Sequence, residues 1–182
     1  MYTASTETDS APDRLVQDGV RSSPAVPPET ERFLTLLARA VRAKKIVEIG
    51  SLHGTCTASL AVTAEAIGAS VLVVEPVPER AHTREVELGG GFASRVVLRR
   101  GAAHEEMTRI SGPFDLAVLN LEDVAAVPVL RVALPRVRVG GIIAILGAGE
   151  ARECAQILSE HPQAITSRVE AGLSIVLGCK LG

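Results

Sequence analysis

The sequence predicts an α/β protein built on a doubly wound, seven-stranded and mostly parallel sheet. Three observations support this fold class. Apolar strand-like runs alternate with helix-like segments, a glycine-containing loop follows the first strand, and only two residues separate the last two strands. The chain has 182 residues, which is enough for one domain with a full core.

Composition narrows the classes of protein that the chain can represent. Hydrophobic residues make up 47% of the chain and the net charge is −2, as in a globular protein. No Lys/Arg block with interleaved aromatics occurs, so we expect no nucleic-acid binding. No stretch reaches the length of a membrane span, and we expect no membrane contact. The three cysteines, Cys56, Cys154 and Cys179, lie far apart, which indicates reduced thiols in a cytoplasmic protein.

The N-terminal segment differs in composition from the rest of the chain. Residues 1–28 are rich in Ser, Thr, Asp and Pro, and we expect a flexible tail because such a segment buries little apolar area. Residues 29–182 are predicted to form the folded domain. Apolar residues recur at helical spacing from Phe33 to Val41, which predicts an amphipathic helix before the first strand.

Strands and helices then alternate. The predicted strands are Lys45–Ile49, Ser70–Glu75, Arg95–Arg99, Phe114–Asn120 and Gly141–Leu146. The predicted helices between them are Thr55–Ile67, Pro78–Leu88, Ala103–Ile110 and Val124–Val137. This alternation is typical of a parallel sheet that is covered by helices on both faces.

The C-terminal end breaks the alternation. After a helix near Glu150–Glu160, the segments Ala164–Glu170 and Leu173–Lys180 are joined only by Ala171-Gly172. Two residues cannot carry a parallel crossover, so these segments must form an antiparallel hairpin. A dinucleotide-binding Rossmann domain normally keeps its strands parallel. The hairpin therefore predicts a Rossmann-like variant with one antiparallel strand.

The loop after the first strand is the main candidate for a binding site. Glu48 ends an apolar run, and Gly50 and Gly54 then frame the start of a helix. Gly50 permits a tight turn, and the first N–H groups of the helix remain available to a ligand. Dinucleotides and S-adenosylmethionine both suit such a cradle. A nicotinamide-dependent oxidoreductase would need a GxGxxG turn, whereas this loop has only the four-residue glycine spacing.

Five landmarks in register carry a family resemblance. They are Glu48-Ile49-Gly50 with Gly54, Glu75-Pro76, Gly101-Ala102-Ala103, Pro113–Val118 and Gly140-Gly141, the last of which we expect to open the fifth strand. With these landmarks the chain resembles the class I S-adenosylmethionine-dependent methyltransferases of the small O-methyltransferase group, which includes catechol and caffeoyl-CoA enzymes. The resemblance extends from about Pro27 to Lys180.

The resemblance implies S-adenosylmethionine as cofactor and S-adenosylhomocysteine as product. In such a site Glu75 accepts the ribose hydroxyls, Glu48 orders the loop and faces the cofactor amine, and Asn120 bonds that amine. The backbone N–H groups of Thr55 and Cys56, at the start of the helix, bind the carboxylate of the cofactor. The cofactor-binding residues expected in this way are Glu48, Gly50, Ser51, Gly54, Thr55, Cys56, Glu75, Pro76, Ala102, Ala103 and Asn120.

The catalytic end departs from the family pattern. Metal-dependent relatives carry an Asp-x-Asp-Lys type sequence after the fourth strand and an Asp-Asn pair after the fifth. This chain has Asn120-Leu121-Glu122-Asp123 and Leu146-Gly147 there. The oxygen ligands that magnesium prefers are missing from these positions, so we expect no catalytic metal. His53 and Asp123 are the candidate general bases.

Two functions remain open at this stage. The first is metal-independent O-methyl transfer to a small molecule. The second is a catalytically degenerate methyltransferase-fold protein that acts as a binding or partner subunit, which the changed metal and base positions favour. The acceptor pocket is open, closed by the N-terminal tail, or completed by a second subunit, so a homodimer is among the expected assemblies.

Overall fold

The computed structural model describes residues 26–51, 54–78, 80, 94–120, 125–147 and 151–182. Its α-helices are α1 (Pro28–Ala40), α2 (Thr55–Ile67), α3 (Ala103–Arg109), α4 (Ala126–Ala133) and α5 (Ala151–Glu160). A short 3-10 helix, Leu134–Arg136, follows α4. The strands are β1 (Lys45–Ile49), β2 (Ser70–Glu75), β3 (Val96–Arg100), β4 (Phe114–Asn120), β5 (Val137–Leu146), β6 (Ala164–Ala171) and β7 (Leu173–Lys180).

The strands form one sheet whose topology confirms the predicted fold class. The order is β3-β2-β1-β4-β5-β7-β6, with seven strands in all. Parallel pairs join β1 to β2 and β4, β2 to β3, and β4 to β5. Strand β7 is antiparallel to both of its neighbours, β5 and β6. The carboxyl ends of β1, β2 and β4 therefore lie side by side at one edge of the sheet, which we call the carboxyl edge; the opposite edge is the amino edge.

Apolar side chains cover both faces of the sheet. Successive residues of a strand point to opposite faces, so Ile46 and Val47 of β1 belong to different core clusters. Leu34 of α1 and Leu60 of α2 pack on the Ile46 side. The other cluster contains residues of α3, α4 and α5, namely Met107, Leu130, Cys154 and Leu158. Helix α2 thus covers the face on which Glu48 also lies, and its first turn is held beside the end of β1.

The fifth strand starts earlier than the sequence predicted. Helix α4 ends at Ala133, and β5 begins at Val137, four residues before the expected start at Gly141. The glycine pair Gly140-Gly141 therefore does not open the strand, and the expectation was wrong. The pairing of β4 with β5 shifts register between Phe114 and Leu116, so the glycines lie in a bulge.

Steric crowding explains why the bulge contains glycine. A Cβ atom on Gly141 would lie 2.6 Å from Cγ1 of Val137 and 3.0 Å from the carbonyl oxygen of Arg138. Gly140 has a φ of +72°, which residues with a side chain rarely adopt. The pattern that resembled a turn before a strand is therefore an irregularity within a strand.

Other boundaries differ from the prediction by one residue or a few. Strand β3 runs from Val96 to Arg100 instead of Arg95–Arg99, and α3 ends at Arg109. Most of the helix expected at Pro78–Leu88 lies outside the described residues, as do residues 1–25 of the expected tail. The tail boundary stays a prediction, although Val26 is already buried in the core. No helix of the described residues is long and apolar enough to cross a membrane.

The turn between β6 and β7 contacts the start of α1. The Thr30 hydroxyl donates a hydrogen bond of 2.5 Å to the carbonyl oxygen of Ala171. A Cβ atom on Gly172 would lie 2.6 Å from Cβ of Pro27. Because β6 is oriented like β5, this turn lies at the carboxyl edge. The contact therefore fixes the beginning of α1 at the edge where the candidate site lies.

Candidate functional site

Three buried polar side chains meet at the carboxyl edge, one from each of the adjacent strands β1, β2 and β4. Glu48 and Glu75 are fully buried, and Asn120 is 2% exposed. Burying a carboxylate is costly unless hydrogen bonds compensate it. The partners of these three side chains therefore decide what the site can bind.

Glu75 joins the end of β2 to the glycine loop. Its Oε2 atom accepts hydrogen bonds from the Ser51 backbone N–H at 2.9 Å and from the Ser51 hydroxyl at 2.5 Å. Its Oε1 atom accepts one from the Val77 N–H at 3.0 Å. The Gly50 N–H donates to the Val74 carbonyl oxygen at 2.9 Å, which fixes the start of the loop. Ser51 and Glu75, both expected cofactor residues, are thus in direct contact.

Glu48 joins β1 to α2 and β4. The Thr57 hydroxyl donates to Oε2 of Glu48 at 2.6 Å, and the Asn120 Nδ2 atom lies 3.4 Å from Oε1. Asn120 also donates to the carbonyl oxygen of Gly50. This network connects the strand ends to both sides of the glycine loop. Thr57, in the first turn of α2, was not among the expected site residues.

Two buried polar atoms in the described part of the site have no hydrogen-bond partner. They are the Oδ1 atom of Asn120 and, apart from its weak interaction with the Glu31 carboxylate, the Oγ1 atom of Thr55. Buried polar atoms in proteins are nearly always paired, so such exceptions require an explanation. Asn120 Oδ1 is an acceptor, and the Thr55 hydroxyl both donates and accepts. These two atoms supply hydrogen-bonding capacity that a polar ligand could use.

Gly54 and Cys56 define the start of α2. Gly54 immediately precedes the helix with a φ of 77°, a conformation that favours glycine. Cys56 is fully buried, and burial raises the pKa of its thiol well above the ordinary value, with the nearby Glu48 carboxylate raising it further. The thiol therefore stays protonated, and the side chain packs as a small apolar group.

Helix α1 adds a residue that sequence reasoning missed. Burial raises the pKa of Glu31, while the nearby Thr55 side chain and the charge of Arg32 partly lower it. The Glu31 charge also contributes to the raised pKa of Cys56, so Glu31 lies close to the start of α2. An acidic residue in the first turn of a helix is common. The sequence therefore carried no signal that could separate Glu31 from an ordinary surface residue.

The loop after β3 lies beside the end of β2. The Gly101 N–H donates to the Glu75 carbonyl oxygen at 3.2 Å, and Gly101 has a φ of +140°. Ala102 is exposed, Ala103 is buried, and Pro76 is partly exposed. Glu106 of α3 is buried and forms an ion pair of 2.6 Å with Arg109. Ala102 and Ala103, which are expected cofactor-binding residues, thus follow directly on the loop that contacts the Glu75 end of the site.

Neither of the two expected catalytic residues belongs to the part of the chain that the structure describes. His53 and Asp123 lie outside the described residues, together with Leu52, Leu121 and Glu122. Asn120 is opposite Leu146 in the β4–β5 register, and Leu146 is fully buried. Among the residues that the structure describes, no three His, Cys, Asp or Glu side chains are grouped as a metal site. The two candidate bases therefore stay predictions.

The fold and the geometry of the site together indicate the class of protein. A sheet of this order with one antiparallel strand, and with a glycine loop and buried acids at its carboxyl edge, matches the Rossmann-like methyltransferase architecture. A cofactor-bound protein from MTB, Rv0187, superimposes with a TM-score of 0.75 at 26% identity, covering 87% of this chain and 83% of the other. An O-methyltransferase from Bacillus cereus, solved in complex with SAH, superimposes with a TM-score of 0.73 at 21% identity over 87% and 84% of the chains.

Sequence comparison gives the family. A protein-family model described as a methyltransferase domain matches residues 47–145 of the sequence. The chain therefore belongs to this methyltransferase family. It is also 33% identical over 155 residues to the catechol O-methyltransferase of Mycobacterium tuberculosis, which corresponds to 76% of this chain and 70% of the relative. The resemblance to class I enzymes of the small O-methyltransferase group is thereby confirmed.

Proposed function

We propose that the chain transfers the methyl group of S-adenosylmethionine to an oxygen atom of a small molecule, without a catalytic metal. The observation that carries this proposal is the carboxyl edge, where Glu48, Glu75 and Asn120 are buried and Asn120 Oδ1 is left unpaired among the described residues. The relative named for catechol methylation and the SAH complex of the structural neighbour support both the cofactor and the type of acceptor.

The residues present suit S-adenosylmethionine. Glu75 would receive ribose hydroxyl groups, and the exposed loop at Ala102 with Ala103 would border the adenine. Asn120 Oδ1 is an acceptor suited to the cofactor ammonium group, and Glu48 would add negative charge behind it. The Thr55 hydroxyl and the N–H groups at the start of α2, near Gly54 and Cys56, suit the cofactor carboxylate.

The chain's own contribution to the reaction is binding and alignment. The cofactor, when bound, supplies an electrophilic methyl group on a sulfonium centre. Methyl transfer depends strongly on proximity and in-line geometry. The buried network of Glu48, Asn120 and Glu75 would hold the cofactor rigidly while the acceptor oxygen approaches. His53 and Asp123 are the predicted acceptors of the proton that this oxygen loses.

The donor set at the ends of β4 and β5 supports the absence of a catalytic metal. Magnesium binds through several oxygen ligands, preferably carboxylates. Asn120 supplies a neutral amide at the end of β4, and its neighbour at the end of β5 is the apolar Leu146. Gly147, which follows Leu146, has no side chain. We therefore expect activity to persist in EDTA and to rise little when magnesium is added.

Calorimetry and an acceptor screen test the proposal together. We expect S-adenosylmethionine and S-adenosylhomocysteine to bind and NAD not to bind. In EDTA, we expect methyl transfer to at least one member of a panel of phenols, hydroxylated natural-product intermediates and carboxylates. Binding of NAD alone would overturn the cofactor assignment. Binding of S-adenosylmethionine without transfer to any acceptor would instead favour a non-catalytic binding or partner subunit.

Assembly and location complete the proposal. We propose a homodimer in which the second subunit closes the acceptor pocket. Sedimentation equilibrium would distinguish a homodimer from a monomer.

We expect a cytoplasmic protein, since none of Cys56, Cys154 and Cys179 forms a disulfide.

A further inference from the structure

A cluster of basic side chains lies at the amino edge of the sheet, opposite the candidate site. Arg39, Arg42, Lys44 and Lys45 are all exposed where α1 ends and β1 begins. The ion pairs among the described residues involve none of these four side chains. Their positive charges therefore face solvent without a balancing acid in the described part of the chain.

Two more cations at this edge are held by backbone carbonyl groups. Arg136 donates hydrogen bonds to three carbonyl oxygens at 2.7, 3.0 and 3.2 Å, and Lys180 donates to two at 2.9 and 3.1 Å. Because a carbonyl group is neutral, both side chains keep their net charge. The acids Asp115 and Glu65 of this edge are each paired with an arginine, and Glu160 adds an exposed negative charge. The amino edge therefore carries an excess of positive charge.

Three exposed aliphatic side chains lie at the same edge. Val139, near the start of β5, is 57% exposed; Ile165, near the start of β6, is 61% exposed; and Leu181, just after β7, is 36% exposed. The Leu181 N–H donates to the Gln163 carbonyl oxygen at 2.8 Å, two residues before Ile165. A Cβ atom on Gly182 would lie 3.7 Å from Cγ1 of Val139. Single exposed aliphatic residues are common, but neighbouring ones form a patch that indicates a contact surface.

Exposed cations beside aliphatic side chains fit an anionic phospholipid surface better than a nucleic acid. Proteins that bind single-stranded nucleic acids without sequence preference stack the bases on aromatic side chains. Phe114, the aromatic residue of the described amino edge, is buried. Peripheral membrane proteins combine Lys and Arg, which anionic headgroups attract, with apolar side chains that enter the interface. Our expectation of no membrane contact rested on the length of apolar stretches, and docking on a surface requires no span.

We propose that the amino edge docks on a membrane surface of anionic phospholipid, with Arg42 and Lys45 at the headgroups and Ile165 at their boundary with the acyl chains. The carboxyl edge then faces away from the membrane, so the candidate site stays open to dissolved ligands. This inference does not depend on the proposed function, because none of its residues lies at the carboxyl edge.

Co-sedimentation with large unilamellar vesicles tests the docking. Vesicles of phosphatidylcholine alone are compared with vesicles that also contain phosphatidylglycerol, which is anionic. We expect the natural protein to bind the anionic vesicles at least about 10-fold more strongly. Most of this binding should disappear when NaCl is raised from about 50 mM to about 500 mM, because salt screens the attraction.

Removal of two cations should weaken the binding further. Arg42→Gln combined with Lys45→Gln should lower the affinity for anionic vesicles by about 20-fold, since each basic residue near such a surface contributes about 5-fold. Arg99→Gln combined with Arg152→Gln is the matched control. It removes the same charge from two exposed residues outside the amino edge, and we expect a loss below about 3-fold.

An apolar substitution tests the second component of the surface. Ile165→Ser should lower the affinity for anionic vesicles by about 3-fold, because less apolar area enters the interface. Val97→Ser is the matched control and should leave the affinity unchanged. Val97 is also the second residue of an edge strand and is 56% exposed, but β3 lies at the opposite end of the sheet from β6.

The outcomes separate membrane docking from its alternatives. Equal binding to both kinds of vesicle, or binding to neither, would overturn the inference, and so would equal losses in the two charge variants. Binding of a single-stranded RNA oligonucleotide without binding of vesicles would instead assign the cluster to nucleic acid. If the double variant does not fold, Arg42→Gln and Lys45→Gln are tested singly, and each should cost about 5-fold. Calorimetry with S-adenosylhomocysteine should give the same affinity for these variants as for the natural protein, so a failure to bind the cofactor concerns the proposed function alone.

Discussion

Acidic side chains at the two edges of the sheet have different kinds of hydrogen-bond donor. At the amino edge, Asp115 receives an ion pair of 2.5 Å from Arg138 and hydrogen bonds of 2.8 Å from the N–H groups of Lys44 and Lys45. At the carboxyl edge, the hydrogen bonds seen among the described residues include those from the hydroxyl groups of Ser51 and Thr57 and from the N–H groups of Ser51 and Val77 to Glu75 and Glu48.

This difference in donors separates Asp115, which has a structural role, from Glu48 and Glu75, for which we propose a role in ligand binding. Burial raises the pKa of Asp115, but the bonds from Arg138, Lys44 and Lys45 outweigh it and lower the pKa below its ordinary value. The guanidinium group of Arg138 thus balances the charge of Asp115 within the fold. The hydrogen bonds that Ser51 and Val77 donate to Glu75, and that Thr57 donates to Glu48, come from uncharged groups instead. The ion pair therefore indicates that Asp115 belongs to the scaffold, whereas the carboxyl edge is the site that we propose for the cofactor.

The largest expected effect concerns the scaffold. Gly141→Ala should lower the free energy of unfolding by about 3 kcal/mol, the upper part of the range for overpacked positions, because the new Cβ would meet Val137 and Arg138. Gly68→Ala is the control: its Cβ would meet nothing within 4 Å, although its φ of +66° is strained. We expect it to cost only about 1 kcal/mol. Urea denaturation measures both, and equal losses would contradict the steric argument.

Glu75→Gln should weaken ligand binding at the carboxyl edge without changing the contacts of Asp115 at the amino edge. The amide replaces a charged acceptor, so we expect the affinity for S-adenosylhomocysteine to fall by about 30-fold, or ~2 kcal/mol. Calorimetry gives this value, and Asp115→Asn serves as the control that leaves the affinity unchanged. An equal loss of affinity in both variants would remove the distinction between the edges.

Asp115→Asn should instead affect stability in a way that depends on pH. The variant loses the ion pair with Arg138, and we expect a cost of about 1.5 kcal/mol at pH 7. Because the folded pKa of Asp115 is lowered, its contribution is present above the unfolded pKa, near 4, and disappears as the pH falls through the folded value. Denaturation curves from pH 7 to pH 2 should therefore converge for the two proteins. A constant difference would show that the charge of Asp115 is not the cause.

The smallest expected effect is a change in stability at Glu31, and it is a small gain where the other substitutions cause a loss. Burial raises the pKa of Glu31, so folding disfavours its ionised form, and stability falls as the pH rises from the ordinary pKa through the raised one. Glu31→Gln should therefore be as stable as the natural protein or more stable at pH 7, by less than about 0.5 kcal/mol because the group is partly solvated. Glu29→Gln, an exposed change in the same turn, is the control. A clear loss of stability confined to Glu31→Gln would contradict this sign.

Local pattern predicted most of the fold, and it predicted that three polar side chains of the candidate site end adjacent strands. The apolar runs located the strands, and the two-residue link predicted the antiparallel β7. Glu48, Glu75 and Asn120 could be brought together from sequence because parallel strands end at the same edge. The early start of β5 could not be predicted, because the bulge at Gly140 depends on register with β4. The bond between Ser51 and Glu75 and the approach of Glu31 to α2 depend on loop conformation and helix packing, which leave no periodic signal.

The contact between Thr30 and the turn at Ala171-Gly172 has a consequence for biosynthesis. It links residues 141 positions apart, so this hydrogen bond can form only after the chain has been translated as far as Ala171. Strands β1, β2 and β4 can assemble on the ribosome before that moment, since their sequences emerge earlier. The carboxyl edge and the packing of α1 on α2 would therefore form first, and the last hairpin would then fix the start of α1 through Thr30.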